Sequence, residues 1–328
     1  MRIIGVMSPK GGIGKTTTSD SIAYILGEEF GKRVLILEGD QQGDTSETFG
    51  CYEPEGIGMS ELIEKHVSVG GRFRTTDTIK ATRYPHIDII PANGYLMQTD
   101  MNLLMKSAEN QIFRLRDALA EVADAYDYCI CDCGRLFDMV VVNILMAAEM
   151  VIVPVKVGGY EIRAITNLSE QIEDLRQINP ELRIKAILTM RQKNKTSLDF
   201  EDWLKNSSGF DTFVTPVRRS VIAERATIEM RPLPEFSPRS IASQDYRNIV
   251  RELLKEMEVQ RWNRPIIMIN TDNFPMMCDN RCENRECSRH ISKLSLIKGG
   301  CKISKLKDTD KCEGHIPRRR TAKGQEEK

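Results

Sequence analysis

Residues 8–18 have the composition of a loop that wraps around phosphate. The chain reads Ser-Pro-Lys-Gly-Gly-Ile-Gly-Lys-Thr-Thr-Thr there, directly after a short apolar run. Glycines allow successive backbone N–H groups to face one anion, and a helix that starts at the end of such a loop adds its dipole. Lys15 would reach the β- and γ-phosphates of a nucleotide, and the Thr16 hydroxyl would bind Mg²⁺. The string therefore predicts a site for ATP and magnesium.

A second candidate ligand for magnesium ends an apolar run further along the chain. Residues 126–132 read Tyr-Asp-Tyr-Cys-Ile-Cys-Asp, so Asp132 follows a buried strand pattern as a single carboxylate. This is a Walker B pattern, and we expect Asp132 to hold Mg²⁺ through a water molecule. Cys129, Cys131 and Cys133 alternate along the same run, which favours small core residues over metal ligands.

The elements that must position these residues alternate between strand and helix. Runs that are nearly continuous in apolar character predict strands that are covered on both faces, at 3–7, 34–37, 87–90, 128–131, 150–155, 184–190 and 212–215. Helical spacing occurs at 16–26, 112–125, 139–148, 161–178 and 240–257. This alternation predicts an α/β fold with a doubly wound, mostly parallel sheet. The pattern stops near Arg261, so we expect an ATPase domain over 1–260 and a small appendage over 261–328.

The complete loop resembles the deviant Walker A loop of the ParA/MinD family of P-loop ATPases, and within it the ParA/Soj-type partition ATPases. Lys10 is the residue that distinguishes this loop. In that family the extra lysine crosses an ATP-sandwiched homodimer and touches the nucleotide of the partner. The resemblance implies a catalytic role for Lys10. The loop residues that we expect to bind nucleotide are Lys10, Gly11, Gly12, Ile13, Gly14, Lys15, Thr16 and Thr17.

The resemblance extends over about residues 1–258. Residues 34–43, Val-Leu-Ile-Leu-Glu-Gly-Asp-Gln-Gln-Gly, are similar to the family's second motif, usually Asp-x-Asp-Pro-Gln-Gly. Asp40 matches the second aspartate, which implies that it orients the attacking water. Three positions depart from the family: Glu38 replaces the first aspartate, Gln41 replaces the proline, and Gly134-Arg135 replaces the two prolines that usually follow the Walker B Asp-Cys.

The same resemblance implies further ligands. An adenine pocket would be lined by Met190, Pro216 and Val217. ATP-bound dimers of the family bind DNA without sequence preference, and a ParB-like centromere-binding partner triggers the hydrolysis that releases them. Clustered cations are sufficient for such phosphate contacts, and five arginines lie within residues 218–239. By resemblance we expect Arg218, Arg219 and Arg239 to bind DNA, which would place the protein in the cytoplasm on the nucleoid.

The segment beyond Arg261 is rich in residues that bind metals. It contains five of the nine cysteines and two of the four histidines. A small segment with almost no apolar core needs a clip to fold, and tetrahedral Zn²⁺ supplies one. The candidate ligands are Cys278, Cys282, Cys287, Cys301 and Cys312. An iron–sulfur cluster and a metal-free tail remain open.

Composition excludes some classes of protein and leaves others. Lys plus Arg and Asp plus Glu both number 47, so the overall charge indicates no partner. No run of about 18 apolar residues occurs, and the basic C-terminal end has no apolar face, so we expect no membrane attachment. Two alternative functions remain. One is an iron–sulfur carrier or reductase with the same loop, although no Cys-x-x-Cys is present. The other is a non-hydrolysing regulatory adaptor, suggested by Glu38 and Arg135.

Overall fold

The structure is a computed structural model. It describes residues 1–65, 74–105, 111–208 and 210–263, together with two short strands at 276–278 and 302–304. The chain divides into two units, Met1–Glu258 and Val259–Lys328. In the second unit, strands β9 (Met276–Cys278) and β10 (Lys302–Ser304) pair in parallel.

An eight-stranded sheet lies at the centre of the first unit. Its order is β3-β4-β2-β5-β1-β6-β7-β8, and every neighbouring pair is parallel except β3 with β4. The strands are β1 (Arg2–Val6), β2 (Val34–Glu38), β3 (Lys80–Ala81), β4 (Ile87–Ile90), β5 (Tyr128–Asp132), β6 (Met150–Val155), β7 (Arg183–Leu188) and β8 (Asp211–Thr212). The prediction of a doubly wound, mostly parallel sheet is confirmed.

Helices cover both faces of this sheet. They are α1 (Lys15–Tyr24), α2 (Asp44–Thr48), α3 (Met59–Lys65), α4 (Leu96–Met105), α5 (Arg114–Ala120), α6 (Met139–Ala147), α7 (Gly159–Arg176), α8 (Lys195–Asn206), α9 (Val221–Ile228), α10 (Leu233–Phe236) and α11 (Ile241–Asn263). A π-helical turn, Ile25–Glu29, continues α1. None of the helices in the described part of the chain is long and apolar enough to cross a bilayer.

Alternate residues of the longer strands enter two different apolar cores. Leu35 and Leu37 of β2 pack in one core, and Ile36 packs in the other. Because the two faces are both buried, the strand has no polar alternation. Cys129, Cys131 and Cys133 are fully buried in the first core, where their thiols act as small apolar groups. Their prediction as core residues is confirmed.

Two predicted strands are shorter in the structure, and both lead into the candidate site. The run predicted at 184–190 ends as a strand at Leu188, because Met190 has a left-handed φ of 53°. The run predicted at 212–215 is a strand only over Asp211–Thr212. After these strands the chain turns toward the glycine-rich loop rather than continuing along the sheet.

Candidate nucleotide-binding site

The glycine-rich loop connects the central strand of the sheet to a helix. β1 ends at Val6 and α1 begins at Lys15. Gly12 and Gly14 have φ values of 66° and 88°, a conformation that strains any residue with a Cβ atom. Nothing lies within 4 Å of a Cβ placed at either position, so the backbone conformation, and not crowding, requires glycine there. The loop therefore has the form that a cradle of backbone N–H groups needs.

Strand register brings the predicted magnesium ligands to this loop. In the β1–β5 pair Val6 lies opposite Asp132, and in the β2–β5 pair Glu38 lies opposite Asp132. Because all three strands run in parallel, their carboxyl ends meet at one edge of the sheet. Open α/β sheets bind ligands outside the carboxyl ends of their strands, at the point where the strand order reverses.

Asp132 is the centre of a buried network of hydroxyl groups. Its Oδ2 accepts hydrogen bonds from the hydroxyls of Thr16 at 2.8 Å and Thr45 at 2.9 Å, and its Oδ1 accepts from Ser19 at 2.9 Å. Burial raises the pKa of Asp132 to about 6, and the charge of Lys15 opposes that shift. Carboxylate and hydroxyl oxygens are hard ligands, so this donor set fits Mg²⁺.

Two further carboxyl groups lie beside Asp132. Glu38 is fully buried and accepts hydrogen bonds from the backbone N–H of Thr45 at 2.9 Å and of Ser46 at 2.7 Å, and from the Ser46 hydroxyl. Burial raises the pKa of Glu38 to about 8. Asp20 also has a pKa well above the usual value, chiefly because it is buried and then because Asp132 is near.

Thr45 connects these acids, and no motif of the sequence pointed to it. Its hydroxyl lies 2.9 Å from both Asp20 Oδ1 and Asp132 Oδ2. One hydroxyl hydrogen can be donated to only one of the two oxygens. The only sequence signal was position: Thr45 is the second residue of the helix that follows Gly43.

Asp40 faces a separate cavity on the same edge of the sheet. It is half-buried, and its Oδ1 accepts a hydrogen bond from the backbone N–H of Gln42 at 3.1 Å. The cavity has a volume of about 370 Å³ and is lined by Asp40, Pro9 and Gly11 of the loop, and Arg135, among others. The structure therefore places Asp40 on the same cavity as Pro9 and Gly11 of the glycine-rich loop.

A larger cavity of about 850 Å³ lies on the other side of the loop. It is lined by Gly12, Ile13, Gly14 and Thr17 from the loop and by two of the three predicted adenine contacts, Met190 and Val217. Pro216, the third, is not among the residues that line this cavity, and its contact with adenine stays a prediction.

Thr189 fastens the loop to this larger cavity. Its hydroxyl lies 2.8 Å from the carbonyl oxygen of Ile13 and 3.1 Å from that of Val155. The next residue, Met190, has the left-handed φ noted above and a partly exposed side chain. Left-handed conformation in a residue with a side chain is costly and is concentrated at ligand sites.

The three arginines predicted to bind DNA have different environments. Arg218 is held by Asp245, whose Oδ2 accepts from the arginine Nε at 2.9 Å and from its backbone N–H at 3.0 Å. Arg218 also lines the 850 Å³ cavity. Arg219 and Arg239 are exposed and form no ion pair within the described ranges. The free cations are therefore Arg219 and Arg239, whereas the charge of Arg218 is neutralised by its pair.

Lys10 extends from the loop toward exposed surface. Its Nζ lies 5.9 Å from the ring centroid of Tyr160, and that ring is 83% exposed. Lys15, in contrast, is buried within the site. The two lysines of the loop thus point in different directions. Lys15 points inward, toward the strand ends, and Lys10 points outward, toward the surface.

The cysteines of the tail lie outside the part of the chain whose side chains are described. Only the backbone of Cys278 is placed, at the end of β9. Cys282, Cys287, Cys301 and Cys312 lie outside the described residues. Among the side chains that are described, no group of three or more His, Cys, Asp or Glu is arranged to hold a metal ion.

A glycine-rich loop between the central strand and a helix, with a buried aspartate hydrogen-bonded to the first helical hydroxyl, defines a P-loop nucleotide-binding protein. The family described as an AAA domain (AAA_31) matches residues 1–184. The chain belongs to this family, as a P-loop ATPase of the ParA/Soj type.

Relatives and a solved structure agree with this assignment. The chain is 27% identical over 256 residues to the sporulation initiation inhibitor protein Soj of Bacillus subtilis, covering 77% of this chain and 98% of Soj. It is 28% identical over 260 residues to the chromosome partitioning protein ParA of Caulobacter vibrioides, covering 77% and 94%. Cobyrinic acid a,c-diamide synthase from Mycobacterium smegmatis, solved with an ATP analog and magnesium, superposes with a TM-score of 0.66 at 26% identity, covering 80% of this chain and 97% of that one.

Proposed function

We propose that this protein is an ATP-dependent dimerising switch that binds DNA non-specifically and hydrolyses ATP to drive partition of a plasmid, a chromosome or a mobile element. The observation that supports it most is the convergence of Lys15, Thr16 and Asp132 at one sheet edge, with Asp40 on the adjoining cavity. Soj and the chromosome partitioning protein ParA are relatives over the same part of the chain.

The chain's own residues divide the work of ATP hydrolysis. Backbone N–H groups of the loop and the Lys15 ammonium would bind the phosphates, and the large cavity beside Met190 and Val217 would take the base. Thr16 and Asp132 would hold Mg²⁺, which neutralises phosphate charge when it is bound. Asp40 would orient the attacking water from the smaller cavity.

Dimerisation is supported by the outward direction of Lys10. A lysine that leaves the loop toward the exposed ring of Tyr160 can reach a second copy of the chain more readily than its own phosphates. On the proposed dimer it would stabilise the negative charge that develops on the transferred phosphoryl group of the partner.

DNA binding is proposed for Arg219 and Arg239, with Arg218 in a different role. A guanidinium already paired with a buried carboxylate gains little from a phosphate, because leaving Asp245 unpaired has its own cost. Arg218 would instead fix the segment that lines the large cavity. A dimer would double the exposed arginines on one surface, and each phosphate contact would add to the salt dependence. Such binding would place the protein on the nucleoid.

The experiment that tests the switch is ATP turnover by the full chain. We expect slow hydrolysis that non-specific duplex DNA together with a ParB-like centromere-binding protein increases, and loss of that activity in Asp40→Ala. Asp117→Ala changes an exposed aspartate of α5 and is the matched control. Equal turnover by the parent and Asp40→Ala contradicts the role of Asp40, and no turnover by the parent, with ATP still bound, favours a regulatory adaptor.

For the tail we propose a tetrahedral Zn²⁺ site formed by Cys278, Cys282, Cys287 and one further ligand, which is Cys301, Cys312 or His290. The density of cysteines supports it, because thiolates at short spacing are the usual ligands of structural zinc. Metal analysis of the full chain after exhaustive dialysis should find one zinc per chain, lost when Cys282 and Cys287 are both changed to serine. Absence of metal from the parent protein rejects the site.

A further inference from the structure

The segment that follows Asp132 is fixed against the strand end that bears Asp40. A Cβ on Gly134 would lie 3.5 Å from the carbonyl oxygen of Gly39 and 4.0 Å from the Cα of Asp40. At its far end Asp138 caps α6, since its Oδ1 accepts the backbone N–H of Val141 at 2.8 Å. Arg135 therefore extends from a short segment that is held at both ends.

The side chain of Arg135 lies over the glycine-rich loop. A Cβ on Gly11 would be 3.2 Å from one terminal guanidinium nitrogen of Arg135 and 3.7 Å from its Cδ. Any residue larger than glycine at position 11 would press against this side chain. The guanidinium is thus in contact with the loop at the residue between Lys10 and Gly12.

Arg135 forms no hydrogen bond or ion pair with any of the residues that the structure describes, and it is exposed. Arg135 lines the cavity of about 370 Å³ together with three carboxyl residues, Asp40, Asp100 and Asp138, and none of these three pairs with Arg135. A guanidinium is always charged and presents a planar fork of donors that matches phosphate oxygens. A cation held on a phosphate-binding loop, with its donors unused, is placed to receive an anion.

We propose that Arg135 contacts the terminal phosphoryl group of ATP from the same chain. This proposal rests on the proposed binding and hydrolysis of ATP. The guanidinium N–H groups of Arg135 bind oxygens of the terminal phosphate, which strengthens the binding of ATP relative to that of ADP. During hydrolysis the water oxygen bonds to the terminal phosphorus while the bond from that phosphorus to the bridging oxygen breaks. The electron pair of the broken bond leaves with ADP, and the proton that the water loses passes to an oxygen of the released phosphate or to solvent. Arg135 transfers no proton and stabilises the charge on the moving group.

The test compares Arg135→Ala and Arg135→Lys with the parent protein. Two quantities are measured: the affinities for ATPγS and ADP in the presence of Mg²⁺, and the single-turnover rate of ATP hydrolysis. We expect Arg135→Ala to lose about 10-fold or more in ATPγS affinity and at least about 100-fold in rate, with ADP affinity within about twofold. Arg135→Lys keeps the charge but lacks the fork, so it should fall between the two.

Free guanidinium ion separates a phosphate contact from a structural role. At about 30 mM, which is well below the molar concentrations that unfold proteins, it should restore part of the rate of Arg135→Ala and leave the rate of the parent unchanged. Arg251 is an exposed arginine of α11, and Arg251→Ala is the control. Its nucleotide affinities and hydrolysis rate should equal those of the parent, with or without guanidinium ion. Equal ATPγS affinity in Arg135→Ala and the parent overturns the proposal, as does an equal loss of ADP affinity without rescue. A parent that binds ATPγS but does not hydrolyse ATP refutes the proposed hydrolysis, while the ratio of the two affinities still tests Arg135.

Discussion

The hydroxyl of Thr16 donates a 2.8 Å hydrogen bond to Oδ2 of Asp132, joining the first turn of α1 to the end of β5. The two residues are 116 positions apart in the chain. Their contact is possible because β1 and β5 are adjacent parallel strands whose registers place Val6 opposite Asp132. In the proposed function, these two oxygens would hold the Mg²⁺ that binds together with the nucleotide.

Asp132→Asn tests the proposed magnesium role. Removing one negative charge from an outer-shell position should lower the affinity for Mg²⁺ by about 10- to 100-fold. The measurement is a magnesium titration in which the binding of a fluorescent ATPγS analogue is monitored. Binding of nucleotide in EDTA should change little, because the loop N–H groups and Lys15 remain. An unchanged magnesium dependence would show that Asp132 is only structural.

Glu38 predicts a fall in stability as pH rises. Its pKa is raised from 4.5 to about 8 in the fold, mainly by burial, so the folded state binds a proton more tightly than the unfolded chain. The favourable contribution is complete below 4.5 and is lost as pH rises toward about 8. Asp20 and Asp132 have pKa shifts in the same direction and add to the effect. Urea unfolding of the nucleotide-free protein in EDTA across this range measures it.

Glu38→Gln is the matched variant for this pH dependence. Its amide cannot accept from both Thr45 and Ser46, so the free energy of unfolding should be lower by about 1–3 kcal/mol at low pH. The decline with pH should nevertheless be shallower, because position 38 no longer titrates. A curve parallel to that of the parent protein would mean that Glu38 does not produce the slope.

Arg218 and Arg219 are adjacent in the chain, but we expect opposite phenotypes. Arg219→Ala should weaken binding to non-specific DNA and reduce the slope of log affinity against log salt by about 1. Arg218→Ala leaves the buried Asp245 without its guanidinium partner, so it should lower the free energy of unfolding by about 1–3 kcal/mol. DNA titrations at several salt concentrations, with thermal unfolding of the same samples, distinguish the two. A larger change of salt slope in Arg218→Ala than in Arg219→Ala would reverse the assignment.

The left-handed conformation of Met190 predicts that replacing it with glycine raises stability and lowers nucleotide affinity. Met190→Gly relieves the left-handed conformation and should raise the free energy of unfolding by about 0.5–1 kcal/mol without nucleotide, after the entropy of glycine is counted. The same change removes apolar surface from the large cavity, so affinity for ATPγS should fall. Met230 has φ 46° but does not line that cavity, and Met230→Gly should stabilise without changing nucleotide affinity. Loss of stability in Met190→Gly would contradict the strain.

Local pattern was sufficient to predict the parts of the fold that are buried on two faces. The short, nearly apolar runs at β2, β4 and β6 are typical of buried strands, and their predicted bounds agree with the structure to within a residue. The two-residue antiparallel strand β3 lacked such a run, so it was missed. Short helices such as α2 depend on tertiary partners, here the acceptance of Thr45 and Ser46 N–H groups by Glu38.

Motif spacing likewise predicted the residues of the site whose chemistry is local. Lys15, Thr16 and Asp132 follow from the strand–loop–helix pattern and a strand ending in a carboxylate. Contacts between distant segments were beyond it: Arg218 with Asp245, Thr45 with Asp132, and Arg135 over Gly11 each depend on how the finished sheet aligns its loops. The sequence identified these residues by type at most, and gave no partner for any of them.

The most direct test of the switch is the binding of the full chain to non-specific duplex DNA with ATP, with ADP and without nucleotide. We predict that the parent protein binds DNA tightly only with ATP. Lys15→Ala, which cannot hold the phosphates, and Lys10→Ala, which cannot complete the dimer, should both lose the ATP-dependent gain. DNA binding that is equal in all three nucleotide states, or equal in the parent and both variants, would contradict an ATP-driven switch.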